Sequence, residues 1–421
     1  MTSLAYAALW LFVFSIPWEN VIFIPGVGAV TRLTGMLAAG IVGLVIVASG
    51  RMRRWHVFHV AALLFVIWAG CSLLISSVNL VKLPTRFWTF VMLFVVVWMI
   101  WELAPSGQRQ LGLLIAYVCG AYVSAVDTIL AYRRGAREFS RFAAGGFDPN
   151  DLAMTLALAL PMAWYLGMTY RRPLLRWLCR AYLPIGLLAI GLTGSRGGML
   201  ASVPALLIVP LSMTNLSPGR LASTIAVLGL AGALGVVYVP EALVQRLGTT
   251  GTEIGDLSFG NRFELWVAGL HAFAHRPLVG YGTSGFVQAI TPELGSMSRV
   301  AHNSFLSVLV EQGIVGLLFY LTMLFAVFRA VLGLSGLERR FALVLIATLV
   351  VAMLPLTWED RKPVWFILAA LLGLSQARVS EVGGVVRSVG PLRTGAALTP
   401  RAAARRLKPL TERSTDRDAI P

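Results

Sequence analysis

The sequence predicts an all-α polytopic membrane protein of about twelve spanning helices, with one large loop between the ninth and tenth. Three observations carry this. The 421 residues are 57% hydrophobic and 13% charged, and mean hydropathy is +0.77, well outside the soluble range. Apolar windows of roughly 18 residues or more, enough to cross a ~30 Å hydrocarbon core, recur along the chain. Basic residues gather in alternate connections, the signature of membrane topology.

The windows fall near 4–24, 29–49, 57–78, 87–104, 111–131, 151–170, 181–194, 197–213, 221–240, 302–330, 341–357 and 363–378, the seventh and last being short. No basic segment precedes the first window, which continues as a span, so no cleavable signal peptide is expected. Cys71, Cys119 and Cys179 lie in or beside windows and none falls in the long loop. That leaves no disulfide within the loop and no Cys-rich metal site. No internal repeat is visible, which counts against an inverted-repeat transporter. Residues 1–378 read as one membrane domain. Residues 379–421 read as a basic, disordered cytoplasmic tail rich in Gly, Ala, Pro and Ser. Such a tail suits loose contact with anionic lipid, and lacks the folded basic face that nucleic acid would need.

Charge sets the orientation. Arg51, Arg53 and Arg54 form one connection, Arg171, Arg172, Arg176 and Arg180 another, and Arg339 and Arg340 share their side with the tail. The positive-inside rule makes that side cytoplasmic, with both termini inside, and puts 79–86, 132–150, 241–301 and 358–362 outside. Lys82, Arg86, Arg133, Arg134, Arg137, Arg141, Arg196, Arg246, Arg262, Arg276 and Arg299 then lie outside, against the rule. Solvated loop arginines are one reading; the other is a bound anion.

Four outer segments carry candidate chemistry. In Gly194-Ser195-Arg196-Gly197-Gly198 the glycines permit close approach, and Ser195 and Arg196 offer donors to a phosphate. A tight turn with a snorkelling Arg would look the same. In Asn261-Arg262-Phe263-Glu264-Leu265-Trp266, Asn261 would cap a helix to about Ala274, stopped by Pro277. Arg262 at its start would combine its charge with the helix dipole, as a pyrophosphate requires, unless Glu264 or Asp256 pairs with it. Phe263, Trp266, Val267, Leu270 and Phe273 give the helix an apolar side, so it would lie on the membrane as a lid or pack over the bundle. His302 in Arg299-Val300-Ala301-His302-Asn303-Ser304-Phe305 opens a span, where the helix N-terminus would keep the imidazole neutral as a general base. A helix cap is the alternative. Glu311, deeper in the same span, is a costly buried carboxylate that a neighbouring helix could satisfy. In Arg141 to Asn150, Asp148 or Asn150 reads as a cap for the sixth span, with Arg141, like Lys82 and Arg86, a candidate anion contact. His271 and His275 have i, i+4 metal-pair spacing but no acidic third ligand in register.

Taken in order, Gly194 to Gly198, Arg262 with Trp266, Pro277 with Gly280-Tyr281-Gly282, His302-Asn303-Ser304-Phe305 and Glu311-Gln312-Gly313 resemble the O-antigen ligase family. The superfamily also holds O-antigen polymerases and protein O-oligosaccharyltransferases. The resemblance covers the span region and leaves out the tail. It implies a glycosyltransferase C-like membrane fold and a bacterial inner-membrane enzyme of lipopolysaccharide assembly with a periplasmic active site. The reaction would be cofactor-free and metal-independent glycosyl transfer from undecaprenyl pyrophosphate to a sugar hydroxyl of lipid A-core. On that reading His302, Arg196 and Arg262 are catalytic. Arg86, Arg141, Lys82, Ser195, Asn303 and Tyr281 bind substrate. A direct displacement would invert the anomeric centre. A polymerase that extends the glycan on its carrier would use the same parts. So would a lipid-linked glycan transporter, but that needs a polar path through the midplane. Asp127 and Glu311 are the main ionisable residues within the windows, while the candidate groups gather at one face.

Overall fold

The computed structural model describes residues 2–26, 28–50, 52–75, 84–137, 141–213, 218–240, 262–297 and 299–388. Arg51, Lys82, Arg246, Asp256, Asn261 and the tail beyond Ser388 lie outside the described residues. The chain divides into two compact units, Met1–Arg378 and Val379–Pro421.

Apolar runs this long leave the backbone one way to satisfy its own polar groups in lipid, which is to coil. The helices are α1 Thr2–Ser15, α2 Val30–Ser49, α3 Val57–Ile75, α4 Pro84–Leu103 and α5 Gly107–Arg134. After these come α6 Pro149–Thr169, α7 Pro173–Thr193, α8 Arg196–Leu206, α9 Ile208–Ser212 and α10 Pro218–Tyr238. The series ends with α11 Arg262–His275, α12 Phe286–Leu294, α13 Ser304–Leu332, α14 Gly336–Met353 and α15 Lys362–Ser388. Seven of them, α2 to α7 and α13, are long and apolar enough to cross a membrane, so the chain is a multi-pass membrane protein.

Two expected spans take a different form. In the first window, 4–24, the fourteen-residue α1 ends at Ser15, before a 3-10 turn at Ile16–Trp18. Beyond it a two-stranded antiparallel ribbon pairs β1 Phe23–Ile24 with β2 Gly28–Ala29. Pro17, Gly26 and Gly28 sit among apolar residues, yet they break helix. The eighth window divides at Leu207 into α8 and α9. Pro210 has no N–H for the carbonyl four residues back and its ring crowds it.

The core centres on α6. It is buried on nearly every side and packs on α5, α7, α8 and α14. Ala153, Ala157, Ala159 and Ala163 keep its surface small, the condition for close helix approach in lipid. Gly197 and Gly198 serve the same purpose. A Cβ on Gly198 would lie 2.3 Å from Ala153 Cβ, and one on Gly197 would lie 2.6 Å from Met154 Cε. These glycines seat the start of α8 on α6.

The sharpest departure from regular helix is inside α13. Gly313 has φ 67° and ψ −171°, which interrupts the helix after Gln312. The segment 277–285 fills the break: Tyr281 N donates to Val310 O at 3.0 Å and Gly282 N to Glu311 O at 2.7 Å. Ile314 N donates to Pro277 O at 2.8 Å. Trp68 of α3 donates from Nε1 to Gln312 O at 2.8 Å. Gly280, at φ 72°, is needed because a Cβ there would lie 2.6 Å from Glu311 backbone atoms. The two short glycine motifs thus form one joint, each supplying groups the other lacks.

Candidate functional site

Helices α4, α6 and α13 begin around one cavity of about 480 Å³, closed by the 354–361 connection. Its wall includes Arg86, Asp148, Asn150, Asp151, His302, Ser307, Glu311, Thr357, Asp360 and Arg361.

His302 stands at φ 46°, in left-handed backbone, just before the helix. Thr357 Oγ1 accepts its N–H at 3.0 Å. Asn303 caps α13, its Oδ1 accepting Leu306 N at 3.0 Å. Ser304 Oγ donates to Leu356 O at 3.0 Å and accepts Trp358 N at 2.8 Å. In His302-Asn303-Ser304, then, the last two residues fix the turn and leave the imidazole on the cavity wall. Trp266 of α11 adds a clamp from outside, donating from Nε1 to Ala301 O at 3.0 Å. Burial lowers the His302 pKa, the Arg262 guanidinium lowers it further, and the Asp148 carboxylate opposes them. Burial and one cation thus favour the neutral imidazole, and one anion opposes them.

Arg86 is committed elsewhere. Its Nη1 donates to both Glu311 oxygens at 2.8 and 3.0 Å, Nε donates to Asp360 Oδ2 at 3.1 Å, and Nη2 pairs with Glu359. Glu311 also accepts Ser284 N at 2.9 Å, which ties this network to the joint in α13. Glu359 is buried, with the Ser307 hydroxyl close to its carboxylate. Burial, with Asp360 and Glu311 nearby, raises the Glu359 pKa against the pull of Arg86. Asp151 extends the network, accepting from Trp358 Nε1 at 2.9 Å and pairing with Arg361 at 3.1 Å.

On the α6 side, Asp148 Oδ1 caps the helix, accepting Asn150 N at 2.7 Å and Asp151 N at 3.3 Å. Asn150 Oδ1 in turn accepts Arg141 Nη1 and Ser195 Oγ, each at 3.0 Å. Ser195 caps α8 through Gly198 N at 3.2 Å, and Arg196 is the first residue of that helix.

The structure thus brings His302, Arg86, Arg141 and Ser195 onto or just behind the cavity wall, and Arg262 within electrostatic reach of His302. Tyr281 is not on that wall. Its ring carries Arg276 at 4.9 Å and packs in a small outer core with Leu265 and Phe286. His271 pairs with Glu293 of α12 at 3.1 Å, and among the described residues no His, Cys, Asp and Glu group could hold a metal ion. Asp127 is half-buried and accepts Gly145 N at 2.9 Å, a local contact away from the cavity wall. Sequence reasoning passed over Asp151, Thr357, Glu359, Asp360 and Arg361. The signal was present as Glu359-Asp360-Arg361-Lys362, a run of four charges between two apolar windows.

The O-antigen ligase family model matches residues 181–321, from within α7 to the middle of α13, and bears out the resemblance. The match takes in Arg196, Arg262, Tyr281, His302 and Glu311, while Arg86, Arg141, Asp148 and the 359–362 run lie beyond it. Among curated proteins none matches the sequence.

Proposed function

We propose, for this membrane protein of the O-antigen ligase family, that the cavity transfers a glycan from undecaprenyl pyrophosphate to a sugar hydroxyl of lipid A-core. The carrying observation is His302 on the cavity wall, its pKa lowered by burial and by the charge of Arg262. A half-buried imidazole in its neutral form is a base able to take a hydroxyl proton. A guanidinium close by can meet charge that builds on a departing phosphate.

In the step proposed, the acceptor oxygen bonds to the anomeric carbon as the carbon–oxygen bond to the pyrophosphate breaks. The bonding pair leaves with undecaprenyl pyrophosphate and the hydroxyl proton passes to His302. Attack opposite the leaving group inverts the anomeric centre. Arg262 and Arg196 would grip the leaving group, with Arg141 assisting through the Asn150 and Ser195 junction. Fixed guanidinium groups would do what a divalent cation does in other phosphate transfers, so the reaction would proceed without metal. The enzyme would sit in the bacterial inner membrane with both termini cytoplasmic and the cavity facing the periplasm, where both lipid-linked substrates reach it.

The test is transfer by purified protein between the two lipid-linked substrates with chelator present, comparing wild type with His302→Ala and Arg262→Ala. Glycan-bearing lipid A-core from wild type alone is the expected result. Undiminished transfer by His302→Ala would remove the base. Longer lipid-linked glycan instead of a core-linked product would make the protein a polymerase, and no covalent product would make it a carrier.

A further inference from the structure

The α6 cap raises a question of chemistry. Asp148 caps through Oδ1 alone, accepting Asn150 N and Asp151 N. Asparagine or serine caps a helix as well as aspartate does. The cap therefore does not need the negative charge, yet the charge stands on the cavity wall that His302 shares.

The other charges at that wall are accounted for. Arg86 from α4 is held by Glu311, Glu359 and Asp360, and Arg361 is paired with Asp151. The ions acting on His302 are Arg262 from α11 and Asp148 from the start of α6, with opposite effect. Near an arginine a base is readily neutral but poorly able to become a cation. A carboxylate on the same cavity wall offsets the second defect.

We propose that Asp148 is a positioning residue for His302, its carboxylate stabilising the imidazolium that forms as the acceptor proton arrives. The hydroxyl proton moves to the imidazole as the acceptor oxygen bonds to the anomeric carbon and the pyrophosphate leaves with the pair of the old carbon–oxygen bond. This rests on His302 being the base. The Oδ1 cap holds the carboxylate in place, so one residue both starts the helix and tunes the base.

The experiment compares wild type, Asp148→Asn and Asp148→Ser, both of which keep a capping oxygen and lose the charge, with His302→Ala alongside. Transfer is measured against pH, with kcat and KM separated, beside thermal unfolding. Expected is about a tenfold fall in kcat in both variants, the factor that one unit of lost imidazolium stabilisation gives. KM and unfolding should not change, and the acid limb of the profile should move to lower pH. Unchanged kcat and acid limb in both variants, with His302→Ala inactive, would leave Asp148 a cap only and overturn the proposal while sparing the base. Failure of both variants to fold would overturn it too, by making the charge structural. An active His302→Ala would end both readings together.

Discussion

Gly313→Ala tests whether the break in α13 is built from its glycine. The native φ of 67° with ψ of −171° lies in a region that only glycine occupies readily, and forcing another residue there costs about 1–3 kcal/mol. The added Cβ would also lie 2.2 Å from Leu278 O and 2.4 Å from Leu278 C, so the segment seated in the break must move. Moving it breaks the hydrogen bonds from Tyr281 N, Gly282 N and Ile314 N, each worth about 1 kcal/mol net. Strain and lost bonds together come to about 4–6 kcal/mol, large for one methyl group. Gly229→Ala, in α10 with nothing within 4 Å of the new methyl, is the control. It should be neutral or gain up to ~1 kcal/mol as glycine leaves a helix interior. Thermal unfolding in detergent with added lipid, at one scan rate, reads both variants against wild type. Transfer should fall with stability in Gly313→Ala, because Glu311 holds Ser284 N and Arg86 from the same joint. A Gly313→Ala protein that unfolds with the wild type would refute the steric argument.

Other predictions follow from the site. Burial and Arg262 hold the His302 pKa down, so the working neutral form persists as pH falls through the ordinary value of about 6.5. The acid limb of kcat should therefore lie below that value and rise toward it in Arg262→Gln; a wild-type limb at or above it contradicts the assignment. Arg86→Met strands three carboxylates and should destabilise by about 3–5 kcal/mol. Adding Glu311→Gln should recover part of that loss, and strictly additive losses in the double variant would deny the network. Thr357→Val removes the acceptor for His302 N, costing about 1 kcal/mol of stability, and should lower kcat with little change in KM. An equal effect on kcat and KM would place Thr357 in substrate binding. Because the folded state raises the Glu359 pKa, ionising that group should cost stability as pH rises above the unfolded carboxyl value of about 4.3. Glu359→Gln should flatten this loss, measured as unfolding temperature against pH.

Much of the molecule was legible because lipid restricts the choices. Long apolar runs have to coil, and every expected window from the second to the seventh became a helix. The outer helix α11 was visible in its apolar side and in Pro277, and it ends within a residue of the expected Ala274. The position of His302 could be read, since a polar triplet opening an apolar run marks an interface. Its partners could not. Asp148 lies 154 residues earlier and Thr357 another 55 later, and only the packing of α6, α13 and the 354–361 connection brings them together. The early end of α1 and the ribbon after it were hidden because Pro17 and Gly28 are single breaks within a long apolar stretch. The joint between Gly280-Tyr281-Gly282 and Glu311-Gln312-Gly313 was hidden for another reason. Each motif looks like an isolated turn until the other supplies its hydrogen-bond partners.

The carboxylates bear on how the cavity divides its work. A pyrophosphate brought against Glu311, Glu359 and Asp360 would meet like charge, and Arg86 cannot turn to it without abandoning them. An anion is therefore favoured where Arg262 acts on His302 and where α8 begins at Arg196, away from the Arg86 network. A neutral sugar hydroxyl has the opposite preference, because carboxylate oxygens accept its proton readily. The acidic wall of Asp148, Asp151, Glu311 and Asp360 suits an acceptor and the arginines suit a donor. On this division Arg86 serves as the counter-ion that lets an acidic wall exist in an apolar bundle. Replacing it should unfold the wall before it weakens the hold on phosphate, whereas replacing Arg262 should do the reverse.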